Sequence, residues 1–507
     1  MKIMAFVKLK TSKGRHFVVK QKAIFSHPLF FPVVITVAYF AINLLLVLAH
    51  EQWGDEANPW QMAKEMDMNN LYYMFRAEAH PLLWYFILAP FAKLGFPFIT
   101  INIISLIIMS VSLFIFAWRA PFTKISKVII AVSSAFFYFN PVIARNYCLV
   151  ILAVVLVATA YKTRLAHPIR YALTIALLLQ SHFLAAGLAA ILTIIFVIDY
   201  IRAKKRIVKL VLPLIVILLS LLSIVPLVVS AMSSQEIIQR TLAGSGEGTD
   251  TILQLNFSLF GVALPILEFS FIGAACFFLL KHIRQFFFLF VSIIFQIFTL
   301  TAVHSTVAIS QQKASLVLIY FVFAFWTAVY DEDIDKPTAL YKRARRLEVV
   351  KKFKSVPPKI ILVIMALCTA PNTLAAAVED VNREYSFSIH VANFMNSSLP
   401  PNSVILMQDF NVVMGSITFV PHLTEGRRLY DLTRGEYLSF ATYEKTIAVT
   451  GNALLAAIKN FPADNVYCLT HPGFKPDPSW KILSTFEIDP YIISESRLSL
   501  YACRTNN

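Results

Sequence analysis

The sequence is short of charge. Asp, Glu, Lys and Arg make up 15% of its 507 residues, where soluble domains sit near 25%. That excludes an ordinary soluble enzyme. Glycine is scarce too, 14 in all, and no complete glycine-rich phosphate loop is present, which disfavours a cytoplasmic nucleotide-sugar enzyme. The five cysteines form no CxxC pair and there is no HExxH, so no metal or redox motif is encoded. No small-x-small cleavage site follows the first apolar run, which therefore reads as a retained helix rather than a signal peptide.

Apolar residues are what the chain has in quantity: 58% of the total, with 43 Phe. They fall in runs at 28–49, 97–118, 128–144, 147–161, 171–181, 183–200, 208–231, 256–280, 286–303, 314–330 and 359–377. These runs predict a polytopic α-helical membrane protein with about eleven transmembrane helices. The net charge of +16 sits in short clusters between the runs, a topological pattern rather than a nucleic-acid-binding one.

One segment decides the orientation. Residues 81–94 are apolar but short, and Pro90 and Lys93 interrupt them. Read as re-entrant or juxtamembrane, they leave every basic cluster on the inside: Arg119/Lys124/Lys127, Lys162/Arg164/Arg170, Arg202–Lys209, Lys281/Arg284 and 342–359. The expected organisation is then a basic cytoplasmic N-terminus (1–27), a transmembrane domain (28–377) with a first outer loop at 50–96 and a cytoplasmic loop at 331–358, and an extracytoplasmic domain (378–507). In that last domain Ser403–Gln408, Asn465–Leu469 and Leu498–Cys503 read as strands, and the residues around Val391 and Leu454–Lys459 as helix, so a small α/β fold is expected. Cys468 and Cys503 lie in strands that can be neighbours.

The densest polar signal is in the first outer loop, Trp53-Gly54-Asp55-Glu56-Ala57-Asn58-Pro59-Trp60. Asn58-Pro59 reads as an N-cap and first-turn pair, with Asp55 and Glu56 just ahead of a helix lying in the membrane interface. A carboxylate there suits a general base acting on an acceptor hydroxyl; the same two acids can also do no more than cap the helix. A second cluster, Arg76-Ala77-Glu78-Ala79-His80-Pro81, precedes the re-entrant segment. Arg145 lies in the turn Asn140–Tyr147 at the outer end of a helix pair, Lys313 begins a span, Arg240 sits in a loop, and His182 stands in a short turn between apolar helices. Each suits contact with an anionic or sugar substrate; an interfacial anchor or a packing role is the plainer reading of any one alone.

Together, the Asp55-Glu56 pair after the first helix and the Glu78/His80-Pro81 step resemble the GT-C superfamily of integral-membrane glycosyltransferases, which includes protein O-mannosyltransferases and bacterial aminoarabinose transferases. Leu82 stands where the mannosyltransferase pattern has a second proline. The resemblance implies a GT-C-like transmembrane domain with juxtamembrane helices in the first outer loop. It implies transfer of a sugar from a polyprenyl-phosphate carrier to a glycan, lipid or protein acceptor at the extracytoplasmic face of the cell membrane, with inversion. Asp55 is then the base, with Glu56 beside it; Glu78 and His80 belong to the donor or acceptor pocket; and the position of Arg145 is similar to that of a phosphate-side arginine, with Lys313 and His182 as further substrate-contact candidates from their own positions. Some relatives use a divalent metal, but the sequence requires no metal or other cofactor. The alternatives are a polytopic lipid or glycan transporter, which would place polar groups at mid-membrane and show repeats, and a non-catalytic membrane scaffold, in which Asp55 is replaceable.

Overall fold

The structure is a computed structural model describing residues 27–67, 80–233, 263–304, 311–331, 358–408, 410–440, 449, 451–470, 479–486 and 498–504. Seven helices among them are long and apolar enough to cross a membrane: Phe30–Ala49, Thr100–Arg119, Phe183–Arg202, Val208–Val225, Ile283–Leu300, Gln312–Asp331 and Ile360–Asn382. The chain is a multi-pass membrane protein. Seven differs from the eleven runs for identifiable reasons. The run at 147–161 forms a 15-residue helix, Tyr147–Tyr161, and the run at 171–181 belongs to a 14-residue helix, Pro168–Ser181. The run at 256–280 lies partly outside the described residues, with helix Ala263–Lys281 at its end. The run at 128–144 is not one helix at all.

That last run breaks. Helix Lys124–Ala131 has eight residues, and residues 132–146 then follow an irregular path through the bundle. Residues 133–144 are all buried. Non-helical backbone survives at membrane depth only where protein groups satisfy its N–H and C=O groups. Side chains from four long helices do so here. The Tyr39 hydroxyl donates to the Phe136 carbonyl (2.5 Å), and Asn43 Oδ1 accepts from Tyr138 N (3.4 Å). Asn102 Nδ2 donates to the Val142 carbonyl (2.7 Å), and Ser105 to that of Asn140 (2.7 Å). Gln312 Nε2 donates to the carbonyls of Phe139 (2.6 Å) and Ile143 (3.1 Å), while Thr369 Oγ1 accepts from Ser134 N (3.3 Å). The polar residues inside these apolar helices are there to hold a broken one.

Helix Leu83–Lys93 has 11 residues, about 16 Å of rise against a hydrocarbon core of about 30 Å. It packs along helix Gly54–Glu65. At the far end of helix Tyr147–Tyr161, a buried ionic cluster ties four helix ends together. Arg164 and Arg284 both donate to Asp199 Oδ2 (2.7 and 2.8 Å), and Asp331 Oδ2 accepts from Tyr161 (2.6 Å) and Gln285 (2.9 Å). Arg164 and Lys127, counted above among the topological charges, are therefore interior groups; Lys127 Nζ donates to the Ala117 carbonyl at 2.7 Å.

The C-terminal part is a six-stranded mixed sheet in the order β3-β2-β1-β4-β6-β5. Its strands are β1 (Val404–Met407), β2 (Arg428–Asp431), β3 (Glu436–Tyr437), β4 (Val466–Thr470), β5 (Lys481–Phe486) and β6 (Leu498–Arg504). β1 runs parallel to β2 and β4, and the remaining pairs are antiparallel. Helix Ser388–Ser398 contributes to the larger core on one face, and helix Gly451–Asn460 to the smaller core on the other. Cys468 and Cys503 face that smaller core, and both are free thiols.

Two outcomes follow. Gln312→Leu leaves two buried carbonyls without their donor, so the unfolding free energy in detergent should drop by about 1–3 kcal/mol; an unchanged value would contradict the bracing role. For orientation, single cysteines placed at the exposed Thr123 and Thr163 should resist an impermeant thiol reagent added to intact cells, as the positive-inside pattern requires. Ready labelling of either would overturn the map.

Candidate active site

Helix Gly54–Glu65 begins five residues earlier than the Asn58-Pro59 pair suggests. Trp53 is its extended N-cap, and the Trp53 carbonyl accepts from Ala57 N at 2.9 Å. Pro59 sits inside the helix, where its missing N–H leaves the Asp55 carbonyl without its usual partner. Asp55 and Glu56 thus occupy the first turn, where the helix dipole favours ionised carboxylates. Trp60, Ala63 and Met66, the expected lipid-interface face, are buried in protein instead. Helix Leu83–Lys93 covers the helix from one side, Phe98 packs on Trp60, and His422 of the C-terminal part packs on Phe98.

The two adjacent acids have opposite environments. Glu56 is fully buried and accepts four hydrogen bonds. Asn102 Nδ2 (2.6 Å) and Ala144 N (2.7 Å) donate to Oε1, and His50 Nε2 (3.0 Å) and Trp53 N (3.2 Å) to Oε2. That uses the accepting capacity of a carboxylate. His50 pairs on its other nitrogen with Asp380 Oδ2 at 2.9 Å. Burial alone would push this imidazole down; the two carboxylates and their hydrogen bonds outweigh it and raise it to about 10. His50 is an imidazolium at neutral pH, a donor at both nitrogens.

Asp55 faces the other way. Its side chain is 28% exposed and its Oδ2 lies 2.6 Å from Arg145 Nη1. Arg145 arrives at the end of the broken segment, one residue after the Ala144 N–H that binds Glu56, so one anchored turn sets both acids' partners. The Arg145 guanidinium stands 5.4 Å from the Tyr147 ring centre, and that ring stacks on His182 (4.7 Å, 23°). His80 lies 4.8 Å beyond His182. Lys313, half-buried at the start of its helix, is close enough to Arg145 and Asp55 to interact electrostatically with both. The fold therefore brings together Asp55, Glu56, Arg145, His80, His182 and Lys313, drawn from five separate stretches of sequence. Glu78 and Arg240 lie outside the described residues.

Sequence reasoning missed His50, Asn102 and Asp380. Each left a visible trace, as a polar residue within or at the end of an apolar run, but nothing in the sequence paired them with Glu56. Asp55, Arg145 and Lys313 carry a net charge of +1, which suits a monoanionic phosphodiester beside an aromatic and imidazole wall. Among the described residues no cluster of His, Cys, Asp or Glu has a metal-holding arrangement.

The chain matches no protein-family model, and no curated protein matches it. Among solved structures, ArnT from Cupriavidus metallidurans in the apo state matches with a TM-score of 0.47 at 12% identity, covering 93% of this chain and 98% of that one. A likeness of that size carries no weight for function, which rests on the side chains.

The His50 pairing makes stability depend on pH with a definite sign. A histidine raised from 6.5 to about 10 on folding gives its full stabilisation below pH 6.5 and loses it as the pH climbs towards 10. The denaturation midpoint should fall across that window. His50→Gln should be less stable at pH 6.5 and show a smaller fall; an identical pH slope in the two proteins would contradict the assignment.

Proposed function

We propose that this protein is a membrane glycosyltransferase of the GT-C type. It moves a sugar from a polyprenyl-phosphate carrier to an acceptor hydroxyl at the extracytoplasmic membrane face. The observation that carries the reading is the Asp55–Arg145 pair, a solvent-reachable carboxylate beside two cations, next to an acid that is wholly engaged in holding the loop. The placement of Asp55 and Glu56 after the first long helix supports the same superfamily.

Asp55 is the general base. It takes the proton of the acceptor hydroxyl as that oxygen attacks the anomeric carbon. The bond from that carbon to the phosphate oxygen breaks, and the leaving polyprenyl phosphate keeps the electron pair. Arg145 and Lys313 stabilise the negative charge that develops on it. In-line displacement inverts the anomeric carbon and puts base and leaving group on opposite faces of the sugar. The Asp55–Arg145 pair therefore opens as the donor enters between them. His80, His182 and Tyr147 line the sugar side, and the GT-C resemblance puts Glu78 with them. Glu56 has no accepting capacity left for a proton from substrate, so its role is to fix the turn that carries Asp55. The bilayer supplies the carrier's apolar surroundings, and the acceptor is a glycan, lipid or protein of the cell envelope.

The test is release of polyprenyl phosphate by purified protein given a panel of polyprenyl-phosphate sugars and an envelope acceptor fraction. Asp55→Asn should lower turnover by about 10²–10⁴-fold with the donor KM little changed. Arg145→Ala should raise the donor KM as well, since its partner phosphate is present in the ground state. Near-normal turnover by Asp55→Asn would remove Asp55 as the base.

A further inference from the structure

The C-terminal part begins where the last long helix ends, and that junction is bonded directly to the turn that precedes the candidate base. Asp380, in the last full turn of helix Pro358–Asn382, binds His50 at 2.9 Å, and His50 binds Glu56 at 3.0 Å. The side chains of all three are at most 2% exposed. Eight residues after Asp380, Ser388 opens helix Ser388–Ser398. Its hydroxyl donates to the Gln52 carbonyl (3.0 Å), while Ile389 N donates to Glu51 Oε1 (2.9 Å). Between the two contacts Tyr385 is buried and presents its ring edge-on to His50 (4.7 Å) and to Trp53 (6.4 Å). Residues 50–53 are thus gripped along their length by residues 380–389.

We propose that this grip, with His50 as its central cation, is a positioning device. The root of the C-terminal domain holds the first turn of helix Gly54–Glu65 and so sets the direction of Asp55. The idea rests on the transferase reading only for its kinetic consequence; the mechanical link stands on its own. It gives the C-terminal domain a part in the reaction, because a displacement of residues 380–389 is passed through His50 to the turn that carries Asp55. Two carboxylates flanking one imidazolium make the link strong while His50 is charged and weak once it is not. The groups that face His50 are Glu56 from the loop helix, Asp380 from the last helix and Tyr385 from the junction, and Tyr138 of the broken segment lies against Asp380. Glu51 is its chain neighbour, and the Asp55–Arg145 pair lies one turn on. Burial keeps Tyr385 neutral well above its ordinary range, so His50 is the member whose loss of charge undoes the grip on the alkaline side.

Asp380→Asn keeps the shape of the contact and removes one charge; Ser388→Ala is the milder change at the second contact. Hydrogen exchange followed by mass spectrometry on the full-length protein reads the link without any substrate. In both variants, exchange should rise in peptides covering 50–65 and stay unchanged in 100–119 and 147–161. In the transfer assay, Asp380→Asn should lose turnover by up to about 10²-fold, the effect of misplacing a reacting group by about 1 Å, at a near-constant donor KM. The alkaline limb of its pH profile should move to lower pH. Arg383→Ala, which removes only an exposed pair with Glu379, should change nothing. Unchanged exchange over 50–65 in both variants would overturn the proposal. Local loss of protection in a wild-type background that transfers no sugar would leave the grip standing and sink the transferase reading.

Discussion

The site hangs on one buried carboxylate. Glu56 collects donors from four places: the end of the first helix (His50), its own N-cap (Trp53), a membrane-spanning helix (Asn102) and the broken segment (Ala144). Burying a charge is tolerable only when its lone pairs are filled and its charge is balanced. Here both conditions are met by groups that have to converge from distant parts of the chain. Satisfying Glu56 therefore fixes where the loop helix starts, where the broken segment runs and where the last helix ends. Asp55 is aimed by this arrangement without taking part in it.

The same logic explains why a membrane protein spends so many polar side chains inside its bundle. Breaking the run at 128–144 exposes backbone groups that lipid cannot satisfy. Tyr39, Asn43, Asn102, Ser105, Gln312 and Thr369 replace the lost helical bonds. What the break gives in return is Arg145 and the Ala144 N–H at one corner. A continuous helix would have carried both away from the loop. On the proposed reading, an anionic, lipid-borne donor needs a cation at the end of the bundle, and an irregular segment braced by neighbouring helices delivers one without exposing backbone to lipid.

How much of this was legible in the sequence follows from which signals are local. Apolar runs located the long helices, and the continuous apolar stretches around β1, β4 and β6 marked the middle of the sheet. The outer strands β2, β3 and β5 carry charged or mixed sequence, such as Arg428-Leu429-Tyr430-Asp431, and gave no such mark. The break after Ala131 was invisible because its residues are as apolar as a helix would need; only the bracing side chains on other helices betray it. Asp55 and Arg145 were readable as candidates because charge is rare at such places. Their 2.6 Å contact was not, because it depends on the broken segment. The start of the loop helix was misplaced because Asn58-Pro59 is a strong local signal. It was overridden by the bonds to Glu56, a local one from Trp53 N and longer-range ones from His50, Asn102 and Ala144.

The central claim is that neighbouring acids divide the labour, Glu56 holding and Asp55 acting. It is tested most directly by measuring the denaturant stability of Asp55→Asn and Glu56→Gln side by side at neutral pH, which needs no substrate. Asp55→Asn, at a partly exposed pair, should stay within about 1 kcal/mol of the parent protein. Glu56→Gln leaves the His50 cation short of a buried partner and should lose about 3–5 kcal/mol. A Glu56→Gln protein as stable as the parent, or an Asp55→Asn protein that loses the larger amount, would contradict the account.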